Sequence, residues 1–317
     1  MKAALAFVRR HREIGPLAAL VLVHVFFLAM RPDTFGRWAN LVTMLRQTSV
    51  VGIAATGATA VVILGGIDLA VGSTIAITTV VVALLLRAGL GPFPAAALGV
   101  AAATACGLAS GAATAGLAIP PFIATLGTMS ILRGLAKGLA HEQKIDAEPR
   151  GLEALVLPSR GLLGVPLAVW LTIAVAAAFA TTLRATRFGR HVVAIGSNER
   201  TARLCGIEIA RVKLAVYALA GLVAGLSGVV EFATLTQGDP TDSVGRELDV
   251  IASVVIGGGS LAGGEGSVFG ALLGALLMTE IRTGCSHLGL SNWVQEVVAG
   301  VIIIAAVSLD RLRRRTS

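Results

Sequence analysis

The sequence VVILGGIDLAVGS, residues 61–73, leaves an apolar run at Gly65 and Gly66, passes Asp68 and enters a second apolar run. Glycine costs about 1 kcal/mol in a helix interior, so the pair marks a helix end, a tight turn or an unwound stretch. A charge at the centre of a bilayer costs about 2.5–3.5 kcal/mol, so Asp68 must be paired, lie at an interface or cap a helix. Capping the helix that resumes near Val71 is the favoured interpretation. The stretch therefore predicts two helices joined at a break.

A second stretch, SVVIGGGSLAGGEGS at residues 253–267, has the same order of features. A shift of 192 positions superposes Gly65 on Gly257 and Gly66 on Gly258, which suggests a degenerate internal repeat. Helices interrupted at corresponding places are typical of a transport pathway, because they expose backbone groups to a polar solute. A tight cytoplasmic turn between two spans explains the same pattern, and both interpretations stay open.

Apolar segments surround both stretches along nearly the whole chain. Of the 317 residues, 55% are apolar and 14% are charged, which leaves too few polar side chains to cover a soluble domain of this size. A spanning helix needs about 20 mostly apolar residues. We therefore predict an all-α polytopic bundle, one transmembrane domain over residues 1–317, with broken or short helices at the two glycine-rich sites. The ten predicted spans are 14–30, 48–65, 70–87, 93–118, 121–140, 163–182, 212–235, 248–258, 267–283 and 293–309.

Basic residues predict the orientation of these spans, since cytoplasmic loops are enriched in them. They cluster at three places: Lys2, Arg9, Arg10 and Arg12 before the first span, Arg311, Arg313, Arg314 and Arg315 after the last, and Arg184 to Lys213 between. With ten spans, an even number, both termini lie on one side of the membrane. The loop after the sixth span lies on that side too, so all three clusters face the cytoplasm. We expect a multi-pass protein of the bacterial cytoplasmic membrane, in contact with lipid, with both termini in the cytoplasm. These clusters account for the net charge of +8, so we expect no nucleic acid partner.

The longest interior loop, about residues 184–213, contains a candidate helix of its own. Ser197 or Asn198 can cap it, Glu199 suits its first turn and Gly206 can end it. A helix of about two turns is marginal in water, which suggests that it docks in a groove of a cytosolic partner. A helix resting on lipid headgroups through its arginines is the alternative.

Polar side chains near the first break and in the fifth span are candidates for the lining of a pathway. They are Asp68, Ser73, Thr125, Thr128 and Ser130. The low charge of the spans suits a neutral, hydroxyl-rich solute that binds weakly as it passes.

Four segments resemble, in consistent order, the membrane-spanning permease subunits of ATP-binding-cassette (ABC) importers for simple sugars, the ribose, xylose and galactoside type. They are GGIDLAVGS, IPPFIATLGTMSILRG, RFGRHVVAIGSNERTARLCGI and RELDVIASVVIGGGSLAGGEGSVFGALLGALL. The resemblance covers about residues 40–310. It implies a dimer of permease subunits, with itself or with a paralogue, cytosolic ATPases below and a sugar-binding protein outside. It also implies ATP-driven alternating access for a monosaccharide such as a ribose-like pentose.

The resemblance further implies that Asn198 to Gly206 is the coupling helix that docks on the ATPase. The residues that match the family pattern are Asn198, Glu199, Ala202, Arg203 and Gly206. After the ninth span the family usually has an Asn-Gly pair, whereas this chain has Arg282 within Ile-Arg-Thr-Gly-Cys. The extra cation lies near the outer mouth, where contact with lipid, docking of the binding protein or recognition of an anionic or unusually polar solute would explain it.

Covalent chemistry is not expected of this chain. The glycine-rich stretch 257–266 lacks the lysine of a phosphate loop, so another polypeptide must hydrolyse ATP. The histidines are not at metal-ligand spacing and the three cysteines, Cys106, Cys205 and Cys285, are far apart, so neither a cofactor nor a metal site is predicted. An ion-coupled secondary carrier for a small polar solute is the alternative function. A membrane enzyme or scaffold is a third, for which we find no intramembrane catalytic residues.

Overall fold

The computed structural model describes residues 14–117 and 119–315, with the side chains of 15–117, 119–158 and 160–308. Ten of its α-helices correspond to the predicted spans: α1 (Ile14–Met30), α3 (Trp38–Ile63), α4 (Val71–Arg87), α5 (Pro92–Gly116), α6 (Pro121–Leu139), α7 (Leu167–Ala185), α10 (Ile209–Leu235), α11 (Arg246–Ile256), α12 (Val268–His287) and α13 (Asn292–Arg315). The shorter helices are α2 (Pro32–Phe35), α8 (Arg187–Ser197) and α9 (Glu199–Leu204). Strands β1 (Ile145–Asp146) and β2 (Gln237–Gly238) pair antiparallel. Three 3₁₀ turns, Leu152–Leu155, Pro158–Arg160 and Leu162–Gly164, precede α7.

The lengths and composition of these helices fit a membrane protein. Helices α5, α7, α10 and α12 are long and apolar enough to cross a bilayer, and α1, α4 and α13 contain shorter apolar stretches. The predicted all-α polytopic class is confirmed. The basic cluster at residues 2–12 and the side chains of Arg311–Arg315 lie outside the described residues.

Helix α10 lies at the centre of the bundle, packed on α3, α4 and α5. Its contact with α5 is close because glycines face each other: a methyl group on Gly107 would lie 2.2 Å from the carbonyl oxygen of Tyr217 and 2.9 Å from the Cα of Gly221. Helices α11 and α12 also approach closely at a glycine, since a methyl group on Gly274 would lie 2.1 Å from the carbonyl oxygen of Ser253. Small residues therefore set how closely these backbones approach.

Helix α3 begins ten residues before the predicted span 48–65. Its first turns carry Arg46 and Gln47, which a hydropathy pattern excludes from a span. In the structure both residues line a cavity between helices. The helix can therefore continue through a stretch that the apolar pattern ends.

Helix α11 has 11 residues, which is about 16 Å and about half of a bilayer core. Residues 239–245, which precede α11 in the chain, enter the bundle along α4. The N–H of Asp239 lies 3.3 Å from Thr79 Oγ1, and the carbonyl of Ser243 and the carboxylate of Glu247 pack on Gly72. Thr79 and Gly72 are about 10 Å apart along the helix axis. The predicted span 248–258 is therefore a half-length helix that starts inside the bundle.

Both glycine-rich stretches begin with the same helix end. Gly65 follows α3 with φ +86°, and Gly258 follows α11 with φ +91°. In each case the N–H of this glycine bonds to the carbonyl three residues earlier, and the next N–H bonds to the carbonyl five residues earlier. The two glycines are 193 positions apart, so the structural equivalence differs by one residue from the sequence superposition at 192.

Candidate coupling and transport sites

Helix α9 forms where the sequence predicts the coupling helix. Asn198 is its N-cap, and the side-chain oxygen of Asn198 accepts the N–H of Thr201 at 3.0 Å. Gly206 follows its end with φ +80°, a conformation that glycine adopts without steric cost. The side chain of Ala202 is buried and packs with apolar residues of α8 and α10. The predicted cap and stop are therefore both present.

Glu199 joins this short helix to the bundle. Its carboxylate lies 2.9 Å from Nζ of Lys213 on α10 and 3.3 Å from Nη2 of Arg203. On the other side of the helix, Leu204 is 89% exposed and Arg200 is also exposed. One face of α9 is thus fixed to the bundle, while the opposite face offers an apolar side chain and cations to a partner.

Helix α8 was not predicted from the sequence, although the signal was present. Phe188, Val192 and Ile195 recur at helical spacing, and the last two are buried. The hydroxyl of Thr186 caps the helix by accepting the N–H of Gly189 at 3.2 Å. The loop 184–213 therefore contains two consecutive helices, separated by a single residue.

The end of α8 contacts both helix breaks at once. The N–H of Gly264 donates to the carbonyl of Ile63 at 2.8 Å. A methyl group on Gly196 would lie 1.8 Å from that oxygen, and one on Gly263 would lie 2.9 Å from the Cα of Gly65. We call these five residues the glycine junction. One residue, Asn198, connects α8 to α9, so the glycine junction lies one short helix away from α9.

Two of the predicted pathway residues lie at the first break. The carboxylate of Asp68 accepts the N–H of Ala70 at 2.8 Å, whereas the N-cap of α4 is Ala70, with no side-chain cap. The prediction that Asp68 caps α4 is therefore wrong, since the carboxylate stabilises the turn that leads into the helix. Thr125 on α6 donates to the carbonyl of Ile67 at 2.9 Å and so joins α6 to the break.

The other three predicted pathway residues lie apart from these. Ser73 is fully buried in α4, and its hydroxyl has no hydrogen-bond partner among the described residues. Thr128 is half-buried and Ser130 is exposed on α6, and each donates to a carbonyl of its own helix. Around them, methyl groups on Gly127 or Gly134 would meet no atom within 4 Å. Part of the α6 surface is therefore without contacts in the single chain, and exposed apolar side chains such as Ile123 and Ile131 lie beside these polar residues.

The segment that enters along α4 is held by charged side chains. Arg133 on α6 donates to two of its carbonyls at 2.9 and 2.7 Å, and Lys144 pairs with Asp239 at 3.1 Å. Burial alone would raise the pKa of Asp239, but hydrogen bonds from Thr241 and the Lys144 ammonium bring this pKa below its ordinary value. The segment is thus held at Asp239, Pro240 and Asp242.

A cavity of about 920 Å³ opens between α3, α10, α11, α12 and α13. Two ion pairs lie in its wall: Arg246 to Glu231 at 3.2 Å, and Arg282 to Asp249 at 2.7 Å. Arg46 on α3 also lines the cavity. The sequence pointed to Arg282 alone. Its partner and the other two arginines could not be placed beside it, because they come from helices distant in sequence.

The comparisons with known proteins agree over almost the whole chain. Residues 40–307 match the family described as the permease component of branched-chain amino acid transport systems. The ribose import permease protein RbsC of Escherichia coli strain K12 is 38% identical over 308 residues, which cover 95% of this chain and 94% of that protein. This chain belongs to that family of ABC transporter permeases. The permease is also 35% identical to RbsC of Bacillus subtilis strain 168, over 95% of this chain and 93% of that protein. It is 32% identical to the L-arabinose transport system permease protein AraH of Escherichia coli strain K12, over 99% of this chain and 95% of that protein.

Membership of this family confirms the class of protein expected from the four sequence segments. The permease is a multi-pass protein of the inner membrane. It is not an enzyme, and ATP is hydrolysed by a separate subunit. The roles of individual residues in coupling and in the pathway stay predictions.

Proposed function

We infer that this permease is the membrane subunit of an ATP-driven importer, which moves a monosaccharide such as a pentose across the cytoplasmic membrane by alternating access. The glycine junction is the observation that carries the proposal, because it connects a surface helix with an exposed leucine to both helix breaks. Relatives named for ribose and L-arabinose support the class of solute. A cytosolic ATPase and an external sugar-binding protein are the partners that such an importer needs.

Coupling begins at α9 in this proposal. The ATPase would hold Leu204 and Arg200 in a groove, as grooves hold amphipathic helices elsewhere. Glu199 and its ion pair to Lys213 would then make α9 and the start of α10 move together. The residues proposed for the coupling role are Asn198, Glu199, Ala202, Arg203 and Gly206, in the cytoplasmic loop 184–213. Both chain termini would lie on the same, cytoplasmic side.

A second permease subunit, another copy or a paralogue, would cover the open surface of α6. Helix α6 has 19 residues, yet it is absent from the helices apolar enough to span a membrane alone. Its exposed Ser130 and Lys137 suit water or protein better than lipid, and the glycines around Ser130 allow close approach. We therefore assign Thr128 and Ser130 to a pathway between two subunits, and Asp68, Ser73 and Thr125 to the break that moves beside it.

Uptake into proteoliposomes tests this function. The permease, its ATPase and its binding protein are reconstituted together, and ATP-dependent uptake of labelled pentoses and hexoses is measured. Leu204→Asp should abolish uptake and weaken ATPase binding while leaving the thermal stability of the isolated permease unchanged, because Leu204 is 89% exposed. Leu163→Asp is the matched control, since this leucine is 80% exposed in the loop before α7.

Two outcomes would contradict the proposal. Uptake by the permease alone under an ion gradient, without ATP, would favour a secondary carrier. Full uptake by Leu204→Asp would remove α9 from the coupling mechanism.

A further inference from the structure

The large cavity contains more cationic hydrogen-bond donors than its own residues satisfy. Nε of Arg46 and Nε of Arg282 are both buried, and neither has a hydrogen-bond partner among the described residues. A buried N–H without an acceptor is costly, and both of these donors belong to residues that line the same cavity. Both Nε atoms are buried, so an acceptor that enters the cavity could contact only the other atoms of these partly exposed guanidinium groups.

Arg46 is the arginine of the lining that lacks a carboxylate partner among the residues described. Arg246 and Arg282 each have a carboxylate partner, at 3.2 and 2.7 Å, whereas Arg46 has no ion pair within the described part of the chain. Glu296 on α13 also lines the cavity, but its side chain is exposed, so water and salt screen its charge. A charged side chain within a membrane helix typically faces a solute path when it lacks a partner.

We propose that this cavity is a selectivity site distinct from the path at the α6 surface, that it selects a hydroxyl-rich solute carrying one carboxylate, that is, a sugar acid, and that Arg46 is the specificity-determining residue. This proposal rests on the proposed function and narrows its class of solute. A guanidinium binds a carboxylate by two parallel N–H···O bonds. Side chains that can bond hydroxyl groups lie in the same lining, namely Thr43, Gln47, Thr234, Thr283 and Gln295.

A single unpaired arginine fits a carboxylate better than a phosphate. A phosphate monoester carries about 1.5–2 negative charges at pH 7, and the other two arginines are already neutralised by Glu231 and Asp249. A sugar phosphate would therefore bring a second charge without a partner into a low-dielectric site. The solute class inferred is a monoanion.

Competing uptake of matched acidic and neutral sugars tests this. The complete importer in proteoliposomes is offered labelled ribose and ribonate, galactose and galacturonate, and ribose 5-phosphate. The acid of a pair should enter about tenfold faster than its neutral partner, as expected for one charge-assisted contact. Arg46→Gln should lower the ratio of acid uptake to neutral uptake about tenfold. Arg87→Gln, which removes the same charge from an exposed site outside the lining, should leave this ratio unchanged.

A second measurement tests the charge of the cavity without depending on any partner protein. In a cysteine-free background, Thr234→Cys places a thiol on the exposed part of the cavity wall. A negatively charged methanethiosulfonate should react with it about tenfold faster than a positively charged one, because a cleft concentrates ions of opposite charge. Arg46→Gln should remove this preference, and Arg87→Gln should preserve it.

The outcomes separate this inference from the importer itself. The sugar-acid proposal would be overturned, with the importer intact, if the two reagents reacted equally. It would also be overturned if neutral sugars entered in an ATP-dependent manner that Arg46→Gln does not alter, while sugar acids did not enter. Preferred uptake of the sugar phosphate would overturn it as well. If no sugar enters in an ATP-dependent manner, the proposed function fails, and the reagent preference alone then decides whether the cavity selects anions.

Discussion

Arg282 on α12 and Asp249 on α11 form an ion pair at 2.7 Å that connects a full-length helix to a half-length one. The partners differ in exposure, since the side chain of Arg282 is 40% exposed and that of Asp249 is 9% exposed. An uncompensated charge costs more where water cannot reach it. Removal of either partner should therefore have unequal effects.

Arg282→Gln should lower the stability of the permease more than Asp249→Asn does. Arg282→Gln leaves a buried carboxylate without a partner and should lower the free energy of unfolding by about 2–3 kcal/mol. Asp249→Asn leaves a guanidinium that water can partly solvate and should lower it by about 1 kcal/mol. Thermal unfolding in detergent of both single variants and the double variant measures this. A larger loss for Asp249→Asn would mean that Arg282 is the more deeply desolvated partner in the membrane.

Gly196→Ala should uncouple ATP hydrolysis from transport. The added methyl group would lie 1.8 Å from the carbonyl oxygen of Ile63, so α8 must move away from both helix breaks. We expect the assembled complex to hydrolyse ATP while uptake falls about tenfold or more. Gly116→Ala is the control, because a methyl group there meets no atom within 4 Å.

The glycine junction would be excluded as the coupling element if Gly196→Ala transported normally. If that variant failed to assemble, a disulfide between Ser197→Cys and Gly264→Cys would test the same contact, since a Cβ on Gly264 would lie 2.7 Å from Ser197 Oγ. Transport that survives this crosslink would show that the contact persists through the cycle. Transport that reappears only on reduction would show that the contact must open, which contradicts a junction that moves as one unit.

Gly134→Cys should form a disulfide between two copies of the permease, if the importer contains a homodimer. Gly134 lies on the open surface of α6, which we assign to the subunit interface. Non-reducing electrophoresis of the cysteine-free protein carrying this one thiol detects the dimer. Leu132→Cys is the buried control, 5% exposed on the same helix, and should remain monomeric. Absence of the dimer in a complex that contains two copies would place a different helix at the interface.

Asp239→Asn should destabilise the permease at pH 7 by about 1 kcal/mol, because it weakens the charge-assisted bonds from Thr241 and Lys144. Lys144 is 59% exposed, so solvent screening keeps its share small. The folded pKa of Asp239 lies below its ordinary value of 3.8. Its contribution is therefore complete above that value and is lost as the pH falls through the folded pKa.

Unfolding midpoints of the two proteins should accordingly differ at neutral pH and converge only as the pH falls from 3.8 through the folded pKa of Asp239. A constant difference across that range would assign the effect to altered packing of the segment rather than to the charge. Lys144→Met provides the comparison, because it removes only the more exposed partner.

Sequence reasoning located most of the helices because apolar composition sets which segments can enter a membrane. It also located the cap and the stop of α9, since Asn198 and Gly206 act on backbone atoms a few residues away. It failed at α8 and at the start of α3. In both places polar residues interrupt the apolar pattern: Arg187 and Arg190 of α8 are exposed, and Arg46 and Gln47 of α3 line the cavity.

The sequence by itself determined the membrane class, the approximate spans, the two helix breaks and the family, because each depends on composition or on residues adjacent in the chain. Only the tertiary structure decided that both breaks meet Gly196, that α11 is entered from inside the bundle, and that Arg46 shares a cavity with Arg246 and Arg282. These relationships join backbone and side chains separated by tens to hundreds of positions. Helix packing brings them together, and no local pattern specifies which faces will meet.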